Sequence, residues 1–576
     1  MPVNRNIATK GLSRRLMLTC GSCLAGAGSP GGGAAVAKAQ LASGSAPPVF
    51  RVADFGAVPD GRTMNTAAFD RALKACAAAG GGVVYIGPGV YLTGPIQLPS
   101  ATALYLAPGA VVKGSPRLED YPVEPKRISG ESDRAGLVTA RDAESVAIIG
   151  SGILDANSVP FHQSDKIKGG RDWDSRFTRQ KGEYMSPKYG TETGPWDHGP
   201  RPGNLVRFIN CRKALLSGVT IQNSPTWTIQ FHGCEDVNVD GLNINSHGSG
   251  RRVPNDDGID LRESRDIRIS GCNIQTGDDC IAVFGSRNVT VTNCTLASRS
   301  AGIRVGYAAG DVRNCTFQNL VIDSNCGLKV NVRSSGSVED VLFSNIVLRT
   351  GLITGHWWGK GEPVNVSAVP MRSGTELGRI RRVRFHNILA ESENAFLIYG
   401  SPESVIEDIL VADCKLHLRN SNLQLSYGGN FDLRGAADLS KALFEHDIPG
   451  LFFRHVRRLR VRGFQLSWDD DLPEFFSHGI EGEEFEDVVL QGFEGRQAKS
   501  GGRAAIALRN GRGISIRDCV AQQGCGAFLS MNRVSDQRLF VNNDLTLAQR
   551  AFEPPDHSFT FSGNRMPQGN QGQSGP

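Results

Sequence analysis

Two short stretches near the middle of the chain concentrate carboxylates: VPNDDGID at Val253–Asp260 and QTGDDCIAV at Gln275–Val283. Asp257 and Asp279 stand 22 positions apart, as do Asp256 and Asp278. Carboxylates crowded together raise one another's pKa, so a structural protein gains nothing by gathering them. Two carboxyls with separated pKa values are what glycosidic hydrolysis needs. One stays protonated and serves the leaving oxygen; the other is ionised and activates water. The same residue types also suit a calcium site or a solvated acidic turn.

The interval of 22 gains meaning from a repeat. GVTIQNS at Gly218, GLNINS at Gly241, DIRISGCNI at Asp266, NVTVTNCTL at Asn288 and DVRNCTFQNL at Asp311 vary one unit. Related units return at VEDVLFSNIVL (Val338), RVRFHNILA (Arg382) and GISIRDCVA (Gly513). Each is a β-branched or alternating run ending in Asn, Cys or Gly, with a period of about 21 to 25 residues through the centre. A unit so short buries its apolar face only by stacking on the next. The leucine frame of leucine-rich repeats is missing, and propeller blades need a period near ~40. The pattern predicts an all-β fold, a right-handed parallel β-helix with a short N-terminal capping helix. Positions 22 apart then lie on neighbouring coils, ~4.8 Å apart. Asp257 falls beside Asp279 and Asp256 beside Asp278.

The chain of 576 residues carries 69 Gly, 40% hydrophobic residues and a formal net charge of +5. So small a charge gives no support for nucleic-acid binding. Ser13-Arg14-Arg15-Leu16-Met17-Leu18, followed by a Gly- and Ala-rich stretch and Ala37-Lys38-Ala39, reads as a twin-arginine signal over 1–39. Export to the periplasm or beyond is expected, and no other stretch approaches the ~20 apolar residues of a membrane span. Of 13 cysteines, Cys20 and Cys23 lie in this segment. Cys272, Cys294 and Cys315 recur at intervals of 22 and 21, a buried ladder rather than a disulfide framework. The expected organisation is a cap and first coil over 48–95, a β-helix catalytic domain over 96–430, further coils and a C-terminal cap over 431–555, and a disordered Gly/Gln/Pro-rich tail over 556–576.

At the aspartate motifs the sequence resembles glycoside hydrolase family 28, which includes polygalacturonases and rhamnogalacturonases. The resemblance runs from about Val49 to about Asp413. It includes ADFGAVPDGRTMNTAAFDRALKACAAAGGGVVYIGPGVY, in which Asn65 or Thr66 can cap a helix reaching about Ala79, and also RPGNLVRFINC at Arg201 and NSPTWTIQF at Asn223. It implies an inverting mechanism in which Asp278 protonates the leaving oxygen while Asp257 and Asp279 hold and deprotonate the water. Stacking pairs Asp257 with Asp279 but does not say which carboxyl is the acid. Asn255 and Asp256 belong to the same motif and are expected to bind substrate. Three positions depart from the family. Ala301 stands where a His belongs, Lys329-Val330-Asn331 replaces Arg-Ile-Lys, and Phe284 replaces a frequent basic residue. Losing several basic groups together argues against plain polygalacturonate as substrate. Arg304 and Lys329 remain to supply positive charge.

Further expected substrate contacts are Trp357, Trp358 and Glu362 in the Gly-rich segment HWWGKGEPV, and His247 in NSHGSG as a partial stand-in for the missing His. The polar insertion at 160–203, with Trp173, Tyr184, Tyr189, Trp196 and His198, interrupts the repeat. It either walls the cleft or is a surface loop packed by its own aromatics. These features together predict an exported, monomeric hydrolase of pectic poly- or oligosaccharides, working without metal or cofactor. Two other functions remain open. One is a lyase or epimerase on the same scaffold, with calcium at the aspartates and Lys329 or Arg304 as base. The other is a non-catalytic carbohydrate-binding β-helix.

Overall fold

The computed structural model describes residues 47–124, 132–169, 172–186, 194–247, 253–499, 503–553 and 559–567; the twin-arginine segment lies outside them. The chain winds as a right-handed parallel β-helix whose strands stack in three rows. One row carries the aspartate motifs and runs in register through Val206, Ile229, Ile259, Ile281, Ile303, Leu328, Val364, Phe396, Leu451 and Ile480, all pointing inward. Successive coils differ by 22 residues at Ile259, Ile281 and Ile303. The step grows to 25 at Leu328, where the turn after Gly306 lengthens, and to 36 at Val364, where the segment between Thr350 and Val364 leaves the coil. The period of 21 to 25 therefore holds only where a coil is bare.

The recurrent Asn explains itself at the turns. Asn288, Asn314, Asn319, Asn345 and Asn387 all adopt left-handed φ between 52 and 56°, which Asn tolerates better than other residues carrying a Cβ. Their side chains also bond from coil to coil, as in Asn314 to Asn288 at 3.1 Å and Asn387 to Asn345 at 2.9 Å. Inside, Phe317, Phe343 and Phe385 stack at 4.9 and 5.2 Å. All eleven described cysteines are buried and unbridged, as the ladder requires.

The helix Thr66–Ala78 buries Ala68, Phe69, Ala72, Leu73 and Cys76 and packs on the first coils. Asn65 precedes it but does not cap it through its side chain. Its amide accepts from Val58 N at 2.7 Å and donates to Thr63 O at 2.7 Å, fastening the preceding loop instead. Beyond residue 418 the chain leaves the solenoid for a short antiparallel pair, Asn430–Asp432 with Leu443–Glu445, and then resumes coiling. The C-terminal composition misleads in part. Thr560–Ser562 pairs with Leu539–Val541, and Phe559 and Phe561 pack on Phe540 and Phe552, so 559–567 belong to the solenoid. Residues 554–558 and 568–576 lie outside the described residues. Among the described residues no helix is long and apolar enough to cross a membrane.

Candidate active site

Asp257 and Asp279 occupy equivalent corners of adjacent coils, just before the strands Ile259–Arg262 and Ile281–Phe284. Gly258 N donates to the Asp279 carbonyl at 2.9 Å, linking the corners directly. One carboxylate oxygen from each of Asp257, Asp278 and Asp279 lies within 4.8 Å of the other two. The three residues are 5, 5 and 3% exposed. In such a place each charge is costly, and neighbouring charges act through little water. Burial, then the charge of Asp279, pushes the Asp278 carboxyl up to about 7. Burial and the charges of Asp260, Asp278 and Asp279 lift Asp257 well above the carboxylate range. Arg304 pairs with Asp279 through Nε and, at 3.2 Å, through Nη2. Asp279 Oδ1 also accepts from Ala301 N at 3.1 Å. Asp257 Oδ1 is buried with no hydrogen-bond partner among the described residues.

Adjacent aspartates have separate tasks. Asp256 is fully buried and accepts from Asp278 N at 2.8 Å, Gly277 N at 3.1 Å and Ser246 Oγ at 2.8 Å. Instead of meeting substrate as expected, it anchors the turn that presents Asp278. Gly277 is required there, since a Cβ would come within 2.5 Å of Asp256 Oδ1 and 2.8 Å of the Trp357 ring. His247 rests behind the site, with Nδ1 3.7 Å from the Asp256 carboxylate. Asn255, half-buried with φ of 63°, turns the chain two residues before Asp257.

The remaining expected contacts divide sharply. Trp357 is 1% exposed and packs as core against Gly277, whereas the half-buried Trp358 lies over Arg304, Lys329 and Arg434 at 5.6, 5.7 and 4.7 Å. Lys329 is fully buried and pairs with Asp432 at 2.8 Å. Glu362, also fully buried, accepts from Lys360 N at 2.7 Å and Asp432 N at 2.6 Å. Lys329, Glu362 and Trp357 are thus enclosed by the antiparallel excursion and cannot reach a ligand as expected. Arg304 reaches the site but is engaged by Asp279.

Three functional residues escaped the sequence. Asp260 points outward from the same strand, with both oxygens buried and unpartnered among the described residues; burial lifts its carboxyl well up, and Asp279 and Asp278 add to the effect. Strand alternation from inward Ile259 was the available signal. Asp432 and Arg434 gave none, because they arrive on an excursion outside the repeat. Phe284 does not leave its position without charge: the Arg262 guanidinium lies between the rings of Phe284 and Trp227, 4.6 Å from each.

Two groups among the described residues could converge on a metal ion: the three aspartates, and His446 with Glu481 and Glu483. Positive charge is already present at each. Arg304 serves the first, and Arg509 pairs with both glutamates of the second.

Known proteins resemble this chain in sequence and in fold. The family described as Glycosyl hydrolases family 28 matches residues 179–417, and Rhamnogalacturonase A/epimerase, pectate lyase-like, matches 49–129. A probable polygalacturonase of Vitis vinifera is 25% identical over 394 residues, spanning 63% of this chain and 73% of that one. A probable endopolygalacturonase I of Aspergillus terreus is 30% identical over 255 residues, 39% of this chain and 67% of that one. The solved exopolygalacturonase of Thermotoga maritima superposes with a TM-score of 0.53 at 24% identity, covering 73% of this chain and 93% of that one. On the matched family segment and these relatives, the chain belongs to glycosyl hydrolase family 28.

Proposed function

We propose that the protein is an exported, exo-acting hydrolase that cleaves a pectic polysaccharide or oligosaccharide with inversion. The observation that carries this is the Asp278 carboxyl, pushed up to about 7 beside Asp257 and Asp279. Asp278 retains its proton up to about pH 7 and delivers it to the glycosidic oxygen. Asp279, paired with Arg304, takes the proton of the attacking water, which Asp257 Oδ1, lacking a partner among the described residues, helps to hold. The approach within 4.8 Å is shorter than the ~6.5–9.5 Å usual for inverting pairs. Inversion is supported instead by Asp279, whose oxygens are engaged by Arg304 and Ala301 N and so suit orienting water better than attacking carbon. A lyase would need an available base. Lys329 and Arg304, the candidates for that role, are both held in buried ion pairs.

Exo action is supported by the insertion. Trp173 stacks on His356 at 5.8 Å and meets Tyr184 edge-on, and Tyr184 meets Tyr427 at 5.6 Å. The insertion is therefore fastened to both loops that border the cleft, which favours a pocket over an open groove. A site complete within one chain supports action as a monomer. Export rests on the twin-arginine segment. Digestion of a panel of pectic substrates, followed by proton NMR from the first minutes, tests the proposal. The product should appear first as the inverted anomer, released from chain ends. A retained anomer, or an unsaturated uronate product, would overturn it.

A further inference from the structure

The outward row of the cleft sheet places Asp260, Ala282, Arg304 and Lys329 on successive coils. A sugar lying against the catalytic carboxylates on the Trp358 side therefore meets whatever charge Arg304 and Lys329 leave available. Both are already neutralised. Arg304 is 5% exposed and paired with Asp279. Lys329 is sealed beneath Trp358 with its Nζ on Asp432. The Asp432 carboxylate accepts from Lys329 Nζ at 2.8 Å, Gly359 N at 2.5 Å, and Arg434 N, Nε and Nη2 at 2.9, 2.9 and 3.2 Å. Converging cationic and backbone donors of this kind are what would bind the carboxylate of an acidic sugar. The protein's own carboxylate occupies them.

We infer that Asp432 is a specificity-determining residue: by filling this cationic corner it makes the Trp358 side of the site select an uncharged sugar and reject a hexuronate. What faces the ligand there is the Trp358 indole, a surface suited to the apolar face of a neutral sugar. An incoming carboxylate would instead meet Asp257, Asp260, Asp278 and Asp279, while Arg304, Lys329 and Arg434 are already engaged by the protein's own carboxylates. Other cations stand nearby. Arg333 is fully buried and spends its donors on Arg434 O, Val332 O, Ser367 O and Ser367 Oγ. Lys360 is buried over the Tyr184 and Tyr427 rings at 5.7 and 5.6 Å. Lys168 is exposed, and a solvated surface pair discriminates weakly. Arg299 lies against the Trp357 ring at 5.9 Å. The inference deepens the proposed hydrolase function and rests on it for the identity of the site.

The test separates binding from turnover. Full-length Asp278→Asn protein is titrated calorimetrically with an oligogalacturonide trimer and with the same trimer after carboxyl reduction. The reduced trimer should bind at least about tenfold more tightly, and adding Asp432→Asn should shift that ratio about tenfold toward the acidic trimer. Equal or tighter binding of the acidic trimer with Asp432 intact overturns the inference, whether or not the second variant folds. So does a ratio unchanged by Asp432→Asn in a protein with an unaltered thermal transition. Turnover of the two trimers by the unsubstituted protein reports on the hydrolase proposal alone.

Discussion

Asp278 and Asp432 are both buried carboxylates of one cleft, yet their surroundings drive them in opposite directions. Burial lifts each. Around Asp278 the charge of Asp279 adds to the lift, and the carboxyl reaches about 7. Around Asp432 the charges of Arg434 and Lys329 outweigh burial and hold the carboxyl well below its ordinary range. The first arrangement stores a proton at the cost of stability; the second is an internal ion pair that no ligand reaches. Burial alone thus does not mark a catalytic acid. The sign of the neighbouring charge decides.

Three changes would break or sharpen this contrast. Asp278→Asn should lower kcat on whichever substrate is cut by roughly 10²–10⁴-fold, the usual worth of a general acid, while its thermal transition stays level or rises because a like charge is gone. Asp432→Ala should do the reverse for stability. It leaves Lys329 and Arg434 buried without their counterion and should cost about 3–5 kcal/mol in a denaturant titration, the range for breaking one side of a buried pair. The smallest effect is on pH dependence. Asp278, raised on folding, contributes stability that is complete below pH ~4 and is lost as pH rises toward 7. Asp432, lowered on folding, contributes stability above pH ~4 that is lost as pH falls below it. Denaturation midpoints measured from pH 3 to 8 should therefore lose part of their alkaline slope in Asp278→Asn and part of their acid slope in Asp432→Asn. Equal slopes in both variants would mean that the two carboxylates do not differ as described.

Much of this was legible beforehand, for particular reasons. In a bare coil, sequence distance is spatial distance, so the 22-residue interval already placed Asp257 beside Asp279, and the cysteine spacing already put those residues in the core. Other details were not local. Asp256 and Asp257 are neighbours in the same turn, but only the turn geometry aims one at the backbone of Asp278 and the other into the site. The adjacent Trp357 and Trp358 were indistinguishable as candidates; packing against Gly277 made one of them core and left the other as a cleft surface.

The sequence by itself determined the solenoid, the coil that carries the aspartates and the membership of Asp257, Asp278 and Asp279 in one cluster, because parallel stacking turns a period into a register. Tertiary structure alone decided which cations remain available. Asp432 and Arg434 enter the cleft from an excursion that follows no period, and their pairing with Lys329 depends on where a loop returns rather than on any spacing along the chain.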